Sequence, residues 1–228
     1  MLSLPQKGAV STCHREQTGY ASSMNIFVLD LDPKRCARYH CDFHVGKMIT
    51  ETAQILSTVL GGPYKPTHVS HPCVKWAEGG IDNVAWLLAL GEALGNEFMW
   101  RRGKLNASSL VIDEIERRFA PMLVNTQPPK RFALAMPEHI RGTALTASPA
   151  RAVERYRAYY NECKQGFWRR TQTRAQTRNG VRTWTQTQGK WVPTTWGKRE
   201  VPEWFVRAPE PSSPPTDDRF TPPRRNLR

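Results

Sequence analysis

The chain has 228 residues, 39% of them hydrophobic, and a formal net charge of +13. That length suits one ordinary domain with extensions, and no apolar run is long enough for a membrane span or a secretory signal. The last 68 residues hold 14 Lys/Arg against 6 Asp/Glu, a net +8, so the basic excess is concentrated at one end and points to an anionic partner.

Residues 1–23 show neither helical nor strand periodicity and read as a disordered extension. Met24 opens the run Met24-Asn25-Ile26-Phe27-Val28-Leu29-Asp30, which reads as a short strand and a natural start. Asp32-Pro33 is a helix start, and one long helix is predicted from about 33 to 60, stopped by Gly61-Gly62-Pro63. A proline-rich loop follows to Pro72. Helical patterns then cover 73–79, 81–101 and 107–119, and residues 120–147 read mostly as loop. Ser148-Pro149 starts a further helix carrying Tyr156, Tyr159 and Tyr160.

From about 170 the composition shifts to Gln, Thr, Arg and Trp, and after about 207 Pro, Ser and charge dominate. The expected fold is mainly α. It is a compact bundle of four or five helices over 24–168, with a short N-terminal strand. A basic segment at 169–207 packs back in part, and 208–228 is a disordered tail.

The first helix carries His40, His44, Lys47, Glu51 and Gln54 at spacings that put them on one face. Imidazole, amine and carboxylate within mutual reach supply a base, a cation and an anion. Cys41 falls on the neighbouring apolar stripe and reads as packing. Two His at i and i+4 can also bind a divalent metal, with His68, His71 or Cys73 as a third ligand. The zinc-helix motif places Glu directly after the first His, whereas here Cys41 follows His40, so no metal is assigned. The alternative is a buried polar network between helices.

The loop His68-Val69-Ser70-His71-Pro72-Cys73 is stiffened by proline, and the helix after Pro72 offers free N–H groups to a phosphate beside His71. Its plainer reading is a helix cap. Arg101 and Lys104 lie at a helix C-terminus, where cations suit the dipole. In the basic segment, Arg174, Arg178 and Arg182 interleave with Trp184 and Trp191, a mixture suited to phosphate contact and base stacking on single strands. Low-complexity polar sequence buries little apolar area, so removal of 169–195 is expected to leave the helices folded. The five cysteines form no CxxC pair, and their odd count without a secretion signal predicts reduced thiols and a cytoplasmic setting.

Several of these segments resemble a family of small proteins common in tailed bacteriophages. The resemblance rests on Met24–Asp30, on His40-Cys41-Asp42-x-His44-Val45-x-Lys47-Met48, and on Glu51-x-x-Gln54. It extends through Thr67-His68 with His71-Pro72-Cys73-x-x-Trp76, Asn83-x-x-Trp86, Glu97, Arg101-x-Gly103-Lys104, Tyr156-x-x-Tyr159-Tyr160 and Val201-Pro202-Glu203-Trp204. It covers about 24–168 and 196–206. Relatives often carry Lys where this chain has Phe43, and a His near Asn106.

The family's setting is similar to phage systems that rewrite thymidine in DNA, including amino acid:DNA transferases and thymine pyrophosphorylase-like proteins. The resemblance implies a transferase acting in an infected host cell. There an amine or amino acid displaces pyrophosphate from an activated 5-hydroxymethyluracil in DNA. His44, Lys47, Glu51 and Asp42 would be catalytic. His40, Gln54, His68, His71, Asn83, Arg101 and Lys104 would bind substrate, with Arg101 and Lys104 on the pyrophosphate. No cofactor is implied. A DNA glycosylase or nuclease, or a non-enzymatic nucleic-acid-binding protein, is the alternative.

Overall fold

A computed structural model describes residues 24–169, 176–178, 181–183 and 190–212. The fold is mainly α, with seven helices among the described residues. In chain order these are α1 Pro33–Tyr39, α2 Asp42–Leu60, α3 Pro72–Glu78, α4 Ile81–Arg102, α5 Ala107–Phe119, α6 Glu138–Arg141 and α7 Pro149–Cys163. Three two-stranded antiparallel pairs complete it. Strand β1 Phe132–Ala133 pairs with β2 Thr146–Ala147, and β3 Gly166–Arg169 pairs with β6 Lys190–Pro193. Strands β4 Gln176–Arg178 and β5 Val181–Thr183 pair with each other. No helix among the described residues is long and apolar enough to cross a membrane.

The expected single helix over 33–60 is two helices. Asp32 caps α1 by accepting from the Lys34 amide, and His40 and Cys41 are extended residues at the join. The break has a tertiary cause. The Asp42 amide, at the start of α2, donates to the Thr195 carbonyl at 2.8 Å, so a distant segment replaces the intrahelical continuation. Helix α2 ends at Gly61, whose φ of 68° is the left-handed geometry expected of a C-terminal glycine.

Helices α2, α4 and α5 pack together. Gly91 of α4 permits the close approach, since a Cβ there would lie 2.8 Å from Ile112 and 2.9 Å from Thr52.

The segment 24–30 is buried throughout, turns at Phe27, and pairs with no strand among the described residues. Side chains satisfy its backbone instead. Asn25 N donates to Glu51, Ile26 N and Phe27 N donate to Asn25 Oδ1, and Leu29 N donates to Cys36 Sγ. Arg157 of α7 donates to the Leu29 carbonyl. The predicted strand is therefore a buried thread.

The C-terminal segment is part of the core. Trp191 is buried, and its indole covers Gly166, where any Cβ would collide with it. Trp196 is 2% exposed, donates to the Tyr39 carbonyl at 2.8 Å and meets Phe205 edge-on. Trp204 packs against Tyr39 and Tyr160. Hence removal of all of 169–195 would take strand β6 and the Asp42 anchor from the body. The expectation that the helices survive it is withdrawn for 190–195. Trp191 is likewise packing, not a base-stacking platform. Arg174 and Trp184 lie outside the described residues, as do the side chains of Arg178 and Arg182.

Candidate functional site

Helix α2 turns about 100° per residue, so His44, Lys47, Glu51 and Gln54 fall within a sector of about 80°. The structure brings three of them into one cluster. Lys47 Nζ lies 2.7 Å from Glu51 Oε1. Glu51 is only 3% exposed, and its Oε2 accepts from the Asn25 amide at 2.9 Å. His44 Nδ1 shares a 2.5 Å hydrogen bond with the Tyr160 hydroxyl. Its ring stacks on Phe27 at 4.6 Å.

Phe27 is held at φ 30°, a rare geometry for a residue with a Cβ. It also faces Tyr159 and Tyr160. Lys164 Nζ sits 4.4 Å above the Tyr159 ring and close enough to His44 to oppose its protonation. Strain of this kind, concentrated beside a buried carboxylate, is characteristic of functional sites.

The electrostatics separate the two candidate bases. Burial, helped by Lys164, His40 and Lys47, holds His44 well below the usual imidazole range, so it is neutral and a weak proton acceptor. Burial pushes the Glu51 carboxyl up, against the pull of Lys47, the Asn25 amide and His68. A carboxylate with a raised pKa is the stronger base. Burial thus moves the two groups in opposite directions, His44 held neutral and the Glu51 carboxyl made more basic than an ordinary one. The residues that sequence reasoning missed are Asn25, Phe27, Tyr159, Tyr160 and Lys164. Helical spacing is blind to them because they come from other elements.

The loop before α3 closes one side of the cluster. Thr58 of α2 and Thr67 bond to each other through Thr58 Oγ1, which docks the loop on α2. His68, at φ 53°, bonds through Nδ1 to Thr67 Oγ1 and lies near enough to Glu51 and His71 to influence both. His71 caps α3, accepting from the Cys73 amide at 3.2 Å. The capping role expected of His71 is therefore present, with His68 as its charged neighbour. Gln54 is half-buried on the same helix face.

Other expected site residues lie elsewhere. Asp42, two residues before His44, stands about 200° round the helix from it. It accepts from Arg101 at 3.0 Å and Thr195 at 2.8 Å. Arg101 has a 2% exposed side chain and donates to Glu97, Asp42 and the carbonyls of His40 and Arg38. Four of its five N–H donors are thus engaged within the protein and the side chain is buried, so it is not open to a pyrophosphate. Arg199 completes the network with a paired contact to Glu97 at 2.9 and 2.8 Å. Asn83 donates to the Trp76 carbonyl and joins α3 to α4. Lys104 is exposed beyond the end of α4. Asp42, Arg101 and Asn83 thus make structural contacts, which corrects the expectation that Asp42 and Arg101 share one cluster with His44, Lys47 and Glu51.

His40 is also corrected. It lies outside α2, is fully buried, and its Nδ1 bonds to the Cys36 carbonyl at 2.7 Å. The i, i+4 histidine pair that a metal would need is thereby broken. Cys36, Cys41 and Cys73 are free and buried. Burial pushes the Cys41 thiol up to about 11 and raises Cys73 further, so neither is a nucleophile at neutral pH. The expectation of reduced thiols does not extend to Cys163, which is disulfide-bonded.

The two buried imidazoles give a pH prediction. Burial lowers His40 to about 4 and His44 well below its ordinary value. Both are neutral in the folded chain, so their contribution is complete above about pH 6.5 and is lost as pH falls towards the folded values. His40 alone accounts for about 3 kcal/mol across that window. Urea unfolding should show stability falling steadily from pH 6.5 to 4.5. A flat profile there contradicts the assignment.

Comparison of the chain with protein-family models, with curated proteins and with solved structures gave no match.

Proposed function

We propose that the α2 face is the reaction centre of a DNA base-modifying transferase. The observation that carries the reading is the Glu51–Lys47 pair. It is a buried carboxylate with a raised pKa beside an amine that is one-third exposed, set against a strained aromatic wall. Glu51 takes a proton from the incoming ammonium of an amine or amino acid. The amine nitrogen then attacks the exocyclic methylene of an activated 5-hydroxymethyluracil. A C–N bond forms, the C–O bond breaks, and its electron pair leaves with pyrophosphate. Lys47 and Lys164 supply positive charge near the departing pyrophosphate, with His68 at the rim, in place of Arg101 and Lys104. The neutral His44 and Tyr160 position the Phe27 wall. This activity belongs in the cytoplasm of an infected host.

A carboxylate beside a lysine amine also suits base excision, in which lysine attacks the sugar and the base departs. One experiment separates the two. DNA bearing the pyrophosphorylated base is incubated with the protein and an amino-acid mixture, and its nucleosides are weighed by mass spectrometry. The transferase reading expects a nucleoside heavier by the amino acid less water than 5-hydroxymethyl-2′-deoxyuridine. Free base with abasic sites would favour excision. Unchanged nucleosides would overturn both.

A further inference from the structure

We infer that the C-terminal end of α4, together with Arg38 and Lys198, forms the surface on which a DNA strand docks. The inference rests on the proposed DNA substrate, and this surface would act alongside the contact expected of the basic segment. Three separate parts of the chain bring cations together here. Helix α4 and its end supply Arg102 and Lys104, α1 supplies Arg38, and the C-terminal segment supplies Lys198 and Arg199. Arg38, Arg102, Lys104 and Lys198 are exposed. Among the described residues none of these four has a carboxylate within ion-pairing distance. The acids close by are already engaged: Glu97 by Arg101 and Arg199, and Asp42 by Arg101 and Thr195. Glu200 is the remaining exposed carboxylate beside Arg199 in the chain.

Cations at a helix C-terminus complement its dipole, and that accounts for Arg102 and Lys104 alone. It does not account for Trp100. This indole is 45% exposed in the middle of the cations. The Arg199 guanidinium stacks 3.9 Å from its centroid, and Lys198 Nζ donates to its carbonyl at 3.1 Å. Arg199 is itself fixed by two bonds to Glu97, so the arginine–tryptophan pair is a rigid platform. An exposed indole framed by unpaired cations fits a nucleic acid with an unpaired base: phosphates meet the cations and a base stacks on the ring. An acidic protein would use the charges and leave the indole idle.

The test measures binding, not turnover. A labelled single-stranded DNA oligonucleotide and its duplex are titrated with the full chain and its variants over a range of salt. The triple variant Arg102→Gln/Lys104→Gln/Lys198→Gln removes exposed side chains whose hydrogen bonds run only to the backbone carbonyls of Asp42 and Trp100, so its melting temperature should stay close to the parent's. Its log–log salt slope on single strands should be shallower by about 2, from about 0.7 per lost phosphate contact. Lys104→Gln alone should remove about 0.7 and serves if the triple variant folds poorly. Trp100→Ala should weaken single-strand binding about 5-fold or more and duplex binding less. Binding by the parent with an unchanged slope in the glutamine variants overturns this surface and leaves the transferase reading standing. Equal single-strand affinity in Trp100→Ala makes the patch a general anion surface and overturns it too. No binding by the parent overturns the surface and the DNA reading together. Retained binding with no nucleoside product sinks the transferase reading alone.

Discussion

Arg101→Ala should unfold under much milder denaturant than the parent, losing about 3–5 kcal/mol, because it leaves two carboxylates and two carbonyls without their buried donor. Arg101 bonds to Glu97, to Asp42, and to the carbonyls of Arg38 and His40. It therefore joins α4 to the end of α1 and the start of α2. Through Glu97 and Asp42 it also holds the C-terminal residues Arg199 and Thr195. Urea denaturation gives the number directly. A loss below about 1 kcal/mol would mean that the guanidinium is not the keystone of this network, and its availability to substrate would have to be reconsidered.

That result bears on what the sequence could reveal. The polar face of α2 was legible because His44, Lys47, Glu51 and Gln54 follow helical spacing, and spacing alone decides which residues share a face. His40 obeyed the same spacing and still fell outside. The helix breaks at 40–41 because Thr195, far away in the chain, accepts the Asp42 amide. No local signal records that. Arg101 looked like a free cation since a helix C-terminus explains arginine without any partner. Its partners come from α1, α2 and α4 itself, and their convergence is a property of packing. Asp42 was recoverable, because a residue two before His44 cannot share its face.

The Arg/Trp pattern misled at Trp191. Alternating aromatics suit base stacking and edge strands equally well, and the deciding feature is Gly166 across the β3–β6 pair, which leaves room for the indole. The choice of Glu51 over His44 as base depends on burial. Sequence gives the ordinary pKa values, whereas desolvation moves the imidazole down and the carboxyl up.

Glu51→Gln should remove activity by at least about 100-fold while leaving the fold intact. Glutamine keeps the carbonyl oxygen that accepts from Asn25 and nearly the same volume. It loses the ion pair with Lys47 and the capacity to take a proton. The sign of the stability change follows from the raised pKa. A buried carboxyl of that kind contributes stability that is lost as pH rises through its folded value, so at neutral pH the ionised group is a burden. Its removal offsets the lost ion pair, and the variant should stay within about 1 kcal/mol of the parent. Full activity in Glu51→Gln would return the cluster to a structural role.

The central claim is that the Glu51–Lys47 face performs chemistry on a DNA base. Nucleoside mass spectrometry on pyrophosphorylated 5-hydroxymethyluracil DNA, run side by side with the parent chain and Glu51→Gln at matched stability, tests it most directly. The parent should yield an amine-bearing nucleoside, and the variant at most about one-hundredth as much. Equal product from both, or none from the parent on DNA that it binds, would contradict it.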